Sequence, residues 1–84
     1  MFSSFDGIRI YIYPRDHNPP HFHAYYAEYE ALINIQTLDV MAEDLPGKQL
    51  KRARKWAELV QNELLNEFIR LQRIWINYRV LLKS

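Results

Sequence analysis

Nine consecutive residues, Asp16-His17-Asn18-Pro19-Pro20-His21-Phe22-His23-Ala24, constrain this chain more than any other stretch. They hold all three histidines and two of the four prolines. Residues preceding proline are pushed towards extended geometry, so Asn18-Pro19-Pro20 cannot be helical. A strand beginning at His21 then places His21, His23 and Tyr25 on one face and Phe22, Ala24 and Tyr26 on the other. The stretch reads as a chemical site anchored to a core from its opposite side.

The surrounding pattern is strand first, helix afterwards. Ile8, Ile10 and Ile12 alternate with Arg9, Tyr11 and Tyr13, the period of a half-buried strand that Pro14 stops. Phe5-Asp6-Gly7 reads as a turn into it. His21–Tyr26 forms the next strand, a short connection near Ala27-Glu28 leads to Tyr29–Ile35, and Val40–Ala42 makes a short fourth. Beyond Gly47 there is no glycine or proline. Asp44-Leu45-Pro46-Gly47 marks the change to helix. Leu50, Ala53, Ala57, Val60, Leu64, Phe68, Leu71, Trp75, Tyr78 and Leu82 then form one apolar stripe at helical spacing.

A single helix from Lys48 to Leu82 would run roughly 50 Å, against a compact domain about 30 Å across. It must break, near Asn62 or Asn66, or leave the body and meet a partner. A second stripe of Leu65, Ile69, Ile76 and Val80 gives its later half two apolar faces, which points to a homo-oligomer or a partner protein. The alternative is a helical hairpin folded back on the sheet. The expected architecture is one α+β domain over residues 1–84. A three- or four-stranded antiparallel meander (1–44) precedes one long or two shorter C-terminal helices (45–84).

With 84 residues there is room for one core only. Without cysteine no disulfide supports it, which agrees with a cytoplasmic protein. The apolar runs are too short for a membrane span. Net charge is +1, yet it is unevenly spread. Before Lys48 only Arg9 and Arg15 oppose seven acidic residues; from Lys48 onward nine basic residues oppose three acidic ones.

Phe5-x-Gly7-Ile8, Tyr13, Asp16-His17-x-Pro19-Pro20-His21-Phe22-His23-Ala24, Tyr26, Ala31, Leu45-Pro46 and Trp56 together resemble the bacterial domain-of-unknown-function family 4160. The resemblance runs from about Phe5 to Leu71 and implies a small α+β domain. It also implies a gene neighbourhood with another small family, number 2442, suggestive of toxin–antitoxin modules. Glycines usual in the turns of that family are replaced here by Ala27, Leu38 and Glu43.

Three chemistries compete for the histidine stretch. His17, His21 and His23, with Asp16, satisfy the ligand count for zinc or another divalent first-row metal. Alternatively, His17, His21 and His23 could act as base and acid in RNA cleavage. In that reading Arg9 or Arg15 contacts phosphate, and Tyr11, Tyr13 and Tyr25 offer ring faces to bases. The third reading is structural, with the histidines bonding local carbonyls and Asp16 capping the turn. Lys48, Lys51, Arg52 and Lys55 share one face at the start of the helix, where cations oppose its dipole. An anionic partner, nucleic acid or acidic protein, would relieve that conflict. The leading functional expectation is a protein-binding component of a toxin–antitoxin-like module, ahead of a ribonuclease and a metal-binding domain.

Overall fold

The computed structural model describes residues 1–83; Ser84, the last residue of the expected helical part, lies outside them. Five strands, not three or four, form one antiparallel sheet: β1 Ser3–Phe5, β2 Ile8–Tyr11, β3 His21–Tyr26, β4 Tyr29–Asn34 and β5 Val40–Glu43. Their spatial order follows the chain, as a meander. The additional strand is β1. Ser3 and Ser4 carry no apolar alternation, so it is set by its partner: Phe5 pairs with Ile8 across Asp6-Gly7. Both turn residues have positive φ, 51° and 77°, as a type I′ hairpin requires.

Two helices follow, α1 Gly47–Leu59 and α2 Gln61–Lys83. The chain breaks at Val60, whose φ of −126° and ψ of 26° leave the helical range. Gln61, next in the chain, donates its side-chain amide to the carbonyls of Ile35 and Gln36 at the end of β4. That contact fixes where α2 starts. The helices meet little beyond this junction, so they do not form a folded-back hairpin. The change to helix falls within Asp44-Leu45-Pro46-Gly47 as expected: α1 follows Pro46, with no side-chain cap and no acidic residue in its first turn.

One face of the sheet carries Ile8, Ile10, Phe22, Ala24, Ala31 and Ile33, all fully buried against Ala53 and Ala57 of α1 and Leu64 and Phe68 of α2. Trp56 packs beside them, its ring 5.0 Å from Phe5 and 6.1 Å from Phe22. Burial along the helical stripe stops there. Leu71 and Trp75 are half-buried, while Tyr78 and Leu82 are exposed. At 1.5 Å per residue the 23 residues of α2 extend roughly 34 Å, and the molecule measures 48 × 26 × 20 Å. The far end of α2 has outrun the sheet.

Four non-glycine residues have positive φ: Asp6, Ala27, Leu38 and Glu43. The last three are the positions at which the resemblance implies glycine. A Cβ in the left-handed region costs roughly 1–2 kcal/mol, part of which glycine returns through its freer unfolded chain. Ala27→Gly, at an exposed hairpin tip, is therefore expected to raise unfolding free energy by about 0.5–1 kcal/mol in urea titration. Leu38→Gly should gain nothing, because Leu38 packs on the core and would forfeit that contact. Equal effects at both positions would contradict the backbone explanation.

Candidate functional site

Strand alternation puts His21 and His23 on the face opposite Phe22 and Ala24, with Tyr11 opposite His23 and Glu30 opposite Tyr25. His21, at the strand's start, is buried where it reaches Phe68 of α2. The β2–β3 loop then brings Asp16 to both histidines. Its position is held from both sides: its backbone N–H donates to the Tyr13 carbonyl at 3.2 Å, and its carbonyl accepts from the Gln72 amide of α2 at 3.0 Å. The Asn18–Pro19 peptide is cis. Further along, the Ile35 N–H donates to the Pro20 carbonyl, tying the loop to the end of β4.

Asp16 Oδ2 lies 2.8 Å from His23 Nε2 and 3.1 Å from His21 Nε2. The opposite nitrogens are also engaged. His21 Nδ1 is 2.9 Å from the Pro19 carbonyl, and His23 Nδ1 is 3.0 Å from Glu30 Oε2. All four ring nitrogens therefore face oxygen acceptors. The Pro19 carbonyl can only accept, so Nδ1 of His21 carries the hydrogen and its Nε2 faces Asp16. His23 stands between two carboxylates, Asp16 at Nε2 and Glu30 at Nδ1, either of which can accept its ring hydrogen. The group is sheltered, with His21 and His23 side chains 8% and 12% exposed and Asp16 22%.

Packing reinforces this arrangement. The His21 ring lies 5.9 Å from Phe68 of α2, and Tyr13 meets His23 edge-on at 4.6 Å. The Tyr13 and Tyr25 hydroxyls are 2.9 Å apart. Burial, the Tyr13 hydrogen bond and the neighbouring Glu30 carboxylate hold the Tyr25 phenol above its usual range. The hydrogen bond from His23 holds Glu30 below the ordinary carboxylate range, against a smaller opposing effect of burial.

Of the residues singled out from the sequence, Asp16, His21 and His23 come together, their ligand atoms within 4.8 Å of one another. His17 does not join them. It is exposed and lines a separate groove with Arg15, Gln72, Trp75 and Arg79. Lys48, Lys51, Arg52 and Lys55 are all exposed on α1. Arg52 turns to Asp6 at 3.4 Å, while Lys51 and Lys55 border a shallow groove with Leu50 and Arg54. Glu30 and Gln72 were missed. A two-residue hairpin at Ala27-Glu28 would have placed Glu30 diagonal to His23, whereas no local signal links Gln72 to a loop 56 residues away.

Neither the curated proteins nor the solved structures contain a match to this chain. The family model described as Domain of unknown function (DUF4160) matches residues 7–68. That span takes in every residue of the Asp16–His21–His23–Glu30 group and ends at Phe68, the last fully buried residue of α2. Because the match covers most of its length, the chain belongs to the DUF4160 family.

Proposed function

We propose that the chain is a metal-binding domain whose ligands are Asp16 Oδ2, His21 Nε2 and His23 Nε2. The observation that carries this reading is the convergence of three ligand atoms, within 4.8 Å of one another, at one sheltered point. Both Nε2 atoms face one carboxylate oxygen, while the Nδ1 atoms face the Pro19 carbonyl and Glu30. A cation between them would be held by all three. Metal-bound histidines commonly donate their other N–H to a carbonyl or carboxylate, the arrangement seen here on both rings. Metal–ligand distances of about 2.0–2.2 Å put neighbouring ligand atoms roughly 3 Å apart, close to the observed 2.8 and 3.1 Å. Two histidines and one carboxylate suit zinc or iron(II) and leave coordination positions for water or a substrate. Metal analysis of protein purified without chelator is expected to give one equivalent per chain, lost in Asp16→Asn. A metal-free wild type that takes up neither zinc nor iron(II) in titration would end this reading. Acid–base cleavage of RNA by the same rings fits less well, since both rings are largely buried and a strand of RNA needs an open approach.

A second reading has its own support in the far end of α2. Ile74, Ile76, Tyr78, Val80, Leu81 and Leu82 are each at least half exposed. They lie beyond the family match. The occupant we favour is a second copy of the chain, because its acidic sheet half and basic helical half are complementary between copies. A toxin–antitoxin-like role would act through this surface. Sedimentation is expected to show a dimer that becomes a monomer in the Ile76→Glu, Val80→Glu double variant, with the fold retained by circular dichroism. A wild type that stays monomeric at high concentration overturns it.

A further inference from the structure

The groove between the β2–β3 loop and α2 lies beside the metal ligands without requiring them. Its volume is about 260 Å³, and Arg15, His17, Trp75 and Arg79 border it. The Arg15 guanidinium lies 4.5 Å from the centre of the Trp75 ring. Among the described residues, the arginines with a carboxylate in ion-pair range are Arg52 and Arg70, so Arg15 and Arg79 have none. Asp16, the one acidic residue of the lining, has its Oδ2 directed at His21 and His23. Two uncompensated guanidiniums and an exposed imidazole thus meet beside one aromatic ring.

We propose that this groove binds a phosphate ester of a nucleotide or of single-stranded RNA. Guanidinium forks match phosphate oxygens in paired hydrogen bonds, and two of them with an imidazole suit a dianion better than a single carboxylate. Trp75 carries the Arg15 guanidinium on its ring face, which holds that fork at the groove, and a base can join the stack on the guanidinium's other side. The groove is only a little smaller than typical small-ligand sites, which begin at about 300 Å³. The lysines of α1 are a weaker candidate: their groove includes Glu58 and no aromatic ring. The assignment goes beyond the metal reading and does not rest on it.

The test uses the full chain, in chelator and again with zinc, so that metal binding and phosphate binding are scored separately. The probes are AMP, followed by calorimetry, and a short fluorescently labelled single-stranded RNA, followed by anisotropy at low salt. Arg15→Ala and Arg79→Ala are each expected to weaken binding at least about fivefold, with Arg15→Lys retaining part of it and the salt dependence reduced. Lys51→Ala with Lys55→Ala should leave it unchanged. Both arginines are exposed, so folding should persist, and circular dichroism checks this. RNA binding without AMP binding assigns the groove to a strand; the reverse assigns it to a free nucleotide. If neither probe binds, or if affinity disappears in the lysine variant and not in the arginine variants, the proposal is wrong.

Discussion

Zinc added to metal-free protein is expected to raise its melting temperature by about 10–20 °C. A ligand at a hundred times its Kd stabilises the native state by about 2.7 kcal/mol, and a domain of this size gains about 4–8 °C per kcal/mol. The shift should vanish in His23→Ala and in Asp16→Asn, which remove ligands, and persist in His17→Ala, whose side chain points elsewhere. Glu30→Gln is the more telling variant. It keeps a hydrogen-bonding group near His23 Nδ1 but removes the carboxylate, so affinity should fall about 10–100-fold without being abolished. A purely structural histidine corner predicts something else. There the variants lower the melting temperature equally with and without zinc, and chelator changes nothing in the wild type.

The contrast between His17 and Glu30 shows how far residue order alone could locate this centre. His21 and His23 belong together because strand period dictates it, and their opposite-face neighbours Phe22 and Ala24 are fully buried. His17 is nearer in sequence to the pair than Glu30 is, yet the loop turns it outward. Glu30 enters through cross-strand register, fixed by a hairpin whose tip contains alanine at positive φ in place of glycine. The turn signal that would have revealed the register was therefore absent. Helix continuity was illegible for a similar reason. A break was expected near Asn62 or Asn66, but it came at Val60. Its position follows from Gln61 reaching the end of β4, a tertiary contact between residues 25 and 26 positions apart. The strand β1 likewise depends on its partner more than on Ser3 and Ser4.

Phe68→Ala is expected to remove about half of the stability of the domain. Phe68 is fully buried and lies where α2 crosses the sheet beside the His21 ring. Truncating a buried phenylalanine costs about 3–5 kcal/mol through lost transfer energy and the cavity left behind. A single domain of this length has only about 5–10 kcal/mol in total, and no disulfide supplements it. Tyr78→Ala, ten residues along the same helix, should cost less than about 0.5 kcal/mol in the monomer, because its side chain is 53% exposed. Urea unfolding of the two variants thus measures where α2 ceases to be part of the core. If both were mild, α2 would not be docked on the sheet through Phe68. If both were severe, the helix end would be buried in a partner and the stability of the chain would depend on its concentration. A severe Phe68→Ala with a mild Tyr78→Ala places the boundary where the family match also stops, leaving the rest of α2 free for a role other than folding.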